Sequence, residues 1–298
     1  MGWRILQMTS ACKLSVKNRQ LRYEPEEGEA LSLPLEDISV MMLENRNILL
    51  TGALLSELAE YNICLFSCDG SHMPNGVFTP YLAHSRYAAV ASMQIASSEP
   101  LKKRLWQKIV RRKIENQAEV LKRLNHKTAD KLIHIAKKVQ SGDPENAEAY
   151  AAGLYWKAAF DDFKRHEEDI KNAALNYGYA VLRGCVARYA VCAGLIPSFG
   201  VHHKNQLNAY NLADDLIEPF RAFVDWIVLN LPLETEILTR ETKQKLISVL
   251  TKNCSFEEEE ISILNAIERT CFSLVNAFKE KDASPLSLPL FSKVPLFE

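Results

Sequence analysis

Two adjacent imidazoles and three carboxylates share one short stretch of this chain. The run SFGVHHKNQLNAYNLADDLIEPFR, from Ser198 to Arg221, holds His202, His203, Asp214, Asp215 and Glu218. On a helix, Asp215 and Glu218 at i, i+3 and Asp214 and Glu218 at i, i+4 fall on one face. Such like-charged pairs repel by up to about 0.5 kcal/mol when exposed, and a divalent cation removes the repulsion. Mixed oxygen and imidazole donors suit Mg²⁺ or Mn²⁺, with Mn²⁺ the more tolerant of nitrogen. Zinc suits the stretch less, because no cysteine lies near and the histidines lack the helical HExxH spacing. The same residues also fit a solvated acidic turn with Asp214 as a helix cap, and spacing alone leaves both readings open.

A third acidic position stands apart. Glu148 lies in ENAEAYAAGLYW, with Ala151 and Ala152 three and four residues on and Tyr155 seven on. A glutamate beside small-residue packing points inward, and a buried carboxylate needs a partner or a proton. Glu145 nearby is an ordinary first-turn acid.

These side chains need elements to hold them. Residues 1–80 read as a small β-rich domain: LSVKNRQLRY is a hairpin turning near Lys17-Asn18, and ISVMMLE and ICLFSCD are strands. One helix, TGALLSELAEYN, separates those strands, with Leu54, Leu55 and Leu58 at helical spacing. From about Tyr81 the pattern is helical. The segment EPLKKRLWQKIVRRKIENQAEVLKRL is one long amphipathic helix marked by Leu101, Leu105, Ile109 and Val110. The next helix starts with Asp143 as cap and Pro144 in the first turn. AALNYGYAVLRGCVARYAVCAGL stops at Gly194. LADDLIEPFRAFVDWIVLNL carries Pro219 near its start or at a kink, and two further helices cover 240–252 and 257–279. Residues 81–283 thus read as an all-helical domain, and 284–298, SPLSLPLFSKVPLFE after Ala283, as an irregular tail. The fold class is α+β. Tyr155-Trp156 and the NYGY run at 176–179 read as core, as do Cys185 and Cys192.

The totals bound the setting. With 298 residues, 47% apolar and 24% charged, the chain can bury a sizeable core. Seven cysteines without a CxxC pair read as reduced, buried thiols of a cytoplasmic protein, and neither a signal-peptide core nor a bilayer-length apolar run is present. A net charge of −1 means that nucleic-acid binding would need a local basic patch.

AEAYAAGLYW, ALNYGYAVLRG, AGLIPSFGVHH and NLADDLIEPFR, in that order and spacing, resemble the CRISPR-associated adaptation integrase ("Cas one") family, most of all its type II branch. LWQKIVRRKIENQA and the N-terminal LPLEDISVMMLENRNILLTGALLSELAEYNICLFSCDGSHMPNG fit the same pattern, so the likeness spans nearly the whole chain. The resemblance implies an N-terminal dimerisation domain, a helical catalytic domain and an Mg²⁺ or Mn²⁺ site. It assigns the metal to Glu148, His203 and Glu218, with Asp215 and His202 supporting. Two departures stand out: the paired histidine, and Glu218 where many relatives carry Asp.

The implied reaction is spacer insertion into double-stranded DNA, a 3′-hydroxyl attacking a phosphodiester at the CRISPR repeat; water in its place gives an endonuclease. Lys102, Lys103, Arg104, Lys108, Arg111, Arg112 and Lys113 in twelve residues are the candidate phosphate contacts, with Lys204, Arg183 and Arg188 behind them. They spread around much of the helix, so not all can face DNA. The implied partners are a second copy of the chain, a small companion ("Cas two"), an effector nuclease and an accessory protein; no membrane is involved. Two other readings fit the composition: a non-catalytic DNA-binding scaffold, and a helical metallohydrolase of small molecules.

Overall fold

The computed structural model describes residues 2–81, 84–161, 169–233 and 236–291. The chain divides into two compact units, Met1–Ser85 and Arg86–Glu298.

In the first unit the turn chemistry sets the architecture. Strands β1 (Arg4–Met8), β2 (Cys12–Lys17), β3 (Gln20–Pro25), β4 (Leu31–Pro34), β5 (Ile38–Leu43) and β6 (Leu49–Leu50) precede helix α1 (Gly52–Glu60) and strands β7 (Cys64–Cys68) and β8 (Pro74–Val77). β2 and β3 form the expected hairpin through Asn18 and Arg19, both at positive φ (52° and 58°), which matches the twist of the strands. Two four-stranded sheets result, ordered β1-β5-β7-β8 and β4-β3-β2-β6. Thr51 caps α1 by accepting from Leu54 N at 3.3 Å, and Leu54 and Leu58 bury against Leu14, Leu21, Leu35, Met41 and Ile63.

The second unit contains helices α2 (Tyr87–Ile95), α3 (Glu99–Arg123), α4 (Thr128–Lys138), α5 (Ala147–Phe160), α6 (Ile170–Cys192), α7 (Asn211–Ile217), α8 (Arg221–Leu229) and α9 (Arg240–Ile247). Strands β9 (Asn253–Phe256) and β10 (Glu259–Ser262), helix α10 (Ile263–Glu280) and strand β11 (Leu290–Phe291) complete it. α3 and α6 are its longest helices, and both are buried along much of their length. Ser98 caps α3, whose Trp106, Ile109, Val110, Ile114 and Leu121 are fully enclosed. Tyr155, Tyr177 and Tyr179 are buried too, as are Cys185 and Cys192. Gly178 lets α6 approach α8: a Cβ there would stand 2.4 Å from Val224 Cγ1.

The helical reading of this unit needs correction. Its α+β character is not confined to the N-terminus, because β9, β10 and β11 form a three-stranded sheet in the order β10-β9-β11. The acidic run expected to start a helix at 257 instead turns a hairpin, with Glu257 and Glu258 at positive φ. α9 ends at Ile247 and passes into a 3-10 turn, Ser248–Thr251. The C-terminal segment is not wholly irregular: β11 pairs antiparallel with β9. Residues 292–298 of that expected tail lie outside the described residues. α5 begins at Ala147 and not near Pro144, although Asp143 does cap it, accepting from Ala147 N (2.8 Å) and Glu148 N (3.0 Å).

Candidate metal and phosphate site

Glu218 owes its position to a proline. Pro219 has no N–H for an α-helical ladder, and the chain tightens into a 3-10 turn, Glu218–Phe220, between α7 and α8. That turn is pinned by Asn116 of α3, which donates to Pro219 O (2.7 Å) and Pro289 O (3.1 Å) and accepts from Phe291 N (3.1 Å). The Glu218 side chain is only 7% exposed. Its Oε1 accepts from Arg221 Nε at 2.9 Å, and its Oε2 meets Lys113 Nζ at 2.5 Å.

Glu148, in the first turn of α5, reaches the same ammonium, with Oε1 2.6 Å from Lys113 Nζ. Two carboxylates from distant segments therefore converge on one cationic point. Burial works against the charged forms, but the two carboxylates together leave the Lys113 pKa raised. Burial likewise opposes ionisation of Glu218, and Lys113 and Arg221 overcome it, so its pKa is lowered. Arg221 also stacks over Tyr179, 4.7 Å from the ring centroid. Tyr179 and Tyr155 both donate to Asp225, Tyr155 at 2.9 Å. Burial first, then Asp225, holds the Tyr155 hydroxyl neutral far above its ordinary range.

His203 sits on the loop before α7, its side chain 43% exposed, so this edge of the site is open. Its Nδ1 lies 2.7 Å from Asp215 Oδ1. Asp215 is fully buried and organises the whole loop: it accepts from Val201 N (2.6 Å), His202 N (3.0 Å) and His203 N (3.2 Å). Gly200 makes room for this, since a Cβ there would fall 2.6 Å from Asp215 Oδ2. The hydrogen bond to Asp215 is the main reason the His203 pKa is raised; burial opposes it, and Glu218 and Asp214 add to it. With Nδ1 engaged, Nε2 is the nitrogen left for a ligand, the usual arrangement of a carboxylate-oriented histidine at a metal. His202 is used differently: it stacks flat on Trp106, centroids 4.1 Å apart.

The donor set fits a hard divalent ion. Glu148 and Glu218 face one cation position, and Glu218 Oε2 is buried with no aligned hydrogen bond beyond its ion pair. In this conformation Lys113 stands between the acids, and among the described residues no trio of His, Cys, Asp or Glu is set as a ready cage.

Other expected site residues fall elsewhere. Asp214 is not the helix cap, because Tyr210 precedes the helix, and it takes a two-pronged contact from Arg183 (2.6 and 3.1 Å). Lys113 is not a surface phosphate contact, because its side chain is 11% exposed and committed to the acids. Arg188 is wholly buried. Lys108 donates to Ala283 O and Ser284 O, Arg111 to Ala136 O and Arg112 to Leu288 O, so these three bind the chain to itself. Lys103 and Arg104 are exposed, and Lys102 and Lys204 share Glu99. Sequence reasoning missed the roles of Lys113, Arg221 and Asn116. The signal for Lys113 was its place on the buried stripe of α3, four residues after Ile109 and four before Gln117.

The family model described as "CRISPR associated protein Cas1" matches residues 6–257. The CRISPR-associated endonuclease Cas1 of Neisseria meningitidis serogroup C (strain 8013) is 43% identical over 294 residues, covering 97% of this chain and 96% of that protein. Among solved structures, a casposase bound to integration product superposes with a TM-score of 0.74 at 18% identity, over 100% of this chain and 96% of that one. A Cas6-RT-Cas1–Cas2 complex gives 0.70 at 16% identity, over 98% of this chain and 36% of the other. At such identities these two structures show a shared fold. No helix among the described residues is long and apolar enough to cross a membrane.

Proposed function

The chain belongs to the CRISPR-associated Cas1 family, and from that premise we propose that it is a metal-dependent DNA integrase and endonuclease of CRISPR adaptation. The observation that carries the reading is the convergence of Glu148 and Glu218 on one cation position, with His203 oriented by the buried Asp215 and feeling the charge of Glu218. Glu148, Glu218 and His203 Nε2 would hold Mg²⁺ or Mn²⁺. When bound, that ion supplies charge stabilisation at the phosphate oxygens and alignment of the attacking hydroxyl.

This chain's residues prepare the site for that role. Asp215 holds the His203 ring with Nδ1 engaged and keeps the loop folded around Gly200. Arg221 fixes one oxygen of Glu218 and leaves the other for the shared position. Asn116 fixes the backbone of the turn that carries Glu218. The 3′-oxygen of a DNA fragment forms a bond to the scissile phosphorus and loses its proton. The bond to the displaced 3′-oxygen breaks, and that oxygen takes up a proton. Water as the attacking group makes the same site a nuclease.

Double-stranded DNA is the substrate in this reading. Lys103 and Arg104, on the exposed face of α3, are its phosphate contacts, with Lys102 and Lys204 beside them. A small companion of the Cas2 kind is the partner, a reading supported by the fold shared with a chain of a Cas1–Cas2 complex. Pairing of the N-terminal unit with a second copy belongs to the same reading, and that unit exposes Trp3, Leu31 and Leu49 at separate positions. The reading is tested by Glu148→Ala and His203→Ala. Both should lose Mn²⁺-dependent strand transfer and cleavage while binding duplex DNA as before; strand transfer that survives both changes would overturn the metal site, whereas a wild type that binds duplex DNA and transfers no strand would favour the scaffold reading.

A further inference from the structure

We infer that Lys113 is a resident cation that competes with the divalent ion for the Glu148–Glu218 pair, so that loading the site displaces the ammonium. The inference rests on the reading that these two acids ligate the metal, and concerns what holds them before it arrives.

The geometry separates Lys113 from Arg221. Of the two acids, Arg221 is hydrogen-bonded to Glu218, through Oε1. Lys113 Nζ is shared, at 2.6 Å from Glu148 Oε1 and 2.5 Å from Glu218 Oε2. The two carboxylate oxygens can be no further apart than those two distances laid end to end, close enough to repel strongly at a site this enclosed. One ammonium therefore bridges two acids brought from α5 and from the 3-10 turn, with Arg221 adding a second positive charge at Glu218. Its backbone is anchored by Ile109, Val110 and Ile114, all fully buried, while its four-carbon stem is flexible. A lysine can thus withdraw its point charge without moving α3, which a rigid guanidinium fork does less readily. An ion bound by both acids and an ammonium touching both are like charges competing for the same oxygens.

A merely structural ion pair predicts the opposite effect on metal binding. If Lys113 only props the acids, Lys113→Met loosens them and weakens the ion. If Lys113 competes, Lys113→Met removes the rival charge and leaves the acids to be relieved by metal alone. The test is Mn²⁺ binding to the full chain without DNA, by calorimetry and by electron paramagnetic resonance of free Mn²⁺, in wild type, Lys113→Met and Glu148→Gln. Melting temperatures with and without Mn²⁺ accompany it. The expected result is binding about tenfold tighter in Lys113→Met, with a lower melting temperature for the metal-free variant and a larger rise on adding Mn²⁺. Equal or weaker binding in Lys113→Met, with wild type still binding in a Glu148-dependent way, overturns the competition and leaves the metal reading standing. No Glu148-dependent binding in any form overturns both.

Should Lys113→Met not fold, crystals of wild type with Mn²⁺ decide. The inference requires Lys113 Nζ to have left contact with at least one of the two acids; an ammonium still touching both beside a bound ion overturns it.

Discussion

Replacing Asp215 with Asn tests the loop that presents His203. The buried carboxylate accepts four times: from the backbone of Val201, His202 and His203, and from His203 Nδ1. An amide has one accepting oxygen. Its best placement keeps that oxygen on Val201 N and His202 N and turns the NH₂ towards His203. The His203 backbone N–H then loses its acceptor, costing about 1–3 kcal/mol, and the two retained bonds lose their charge assistance, about 1 kcal/mol together. We expect a destabilisation of about 3 kcal/mol, read by urea unfolding of the metal-free protein. The NH₂ also forces His203 to accept at Nδ1, placing the proton on Nε2, the atom a metal needs, so Mn²⁺ affinity falls as well.

The pH dependence has a definite sign. Asp215 raises the His203 pKa, so the pair's stabilisation is fully present below the ordinary histidine value of about 6.5 and is lost as pH rises through the higher folded value. In Asp215→Asn the His203 pKa should fall, followed by NMR titration of its ring protons. The stability gap between the two proteins should narrow as pH rises across that window. A loss below about 1 kcal/mol together with an unshifted His203 titration would refute the argument.

Three further outcomes follow from the packing and the cations. Gly178→Ala should destabilise the protein by about 1–3 kcal/mol, because its Cβ meets Val224 Cγ1 at 2.4 Å; adding Val224→Ala should recover part of the loss in thermal unfolding. Lys103→Ala and Arg104→Ala should each reduce the salt slope of DNA binding by about 1 without changing stability. Neutralising Lys108 or Arg112 should instead lower the melting temperature, since these side chains hold carbonyls of the segment from Ala283 to Leu288.

How much of this was legible in the residues varies with the range of the interaction. The hairpin at Asn18-Arg19 and helices α1, α3 and α6 follow from local turn chemistry and periodicity, and the sequence places all of them. The glycine at 200 is plain in the sequence, but that the carboxylate of Asp215 approaches it is visible only in the fold. β9 and β10 were not legible: a run of four glutamates favours a helix locally, and β9, with which it pairs, is joined on its other edge by β11, from more than thirty residues away. The same long range hid Asn116, which joins α3 to the Glu218 turn and the C-terminal strand. Lys113 was obscured by company, one cation in a run of seven, although the helical stripe sets it inward.

The most direct measurement is anomalous scattering at the manganese edge from crystals grown with Mn²⁺. The account predicts one strong peak within bonding distance of Glu148, Glu218 and His203 Nε2. A protein saturated with Mn²⁺ whose peak lies away from these three side chains would contradict it.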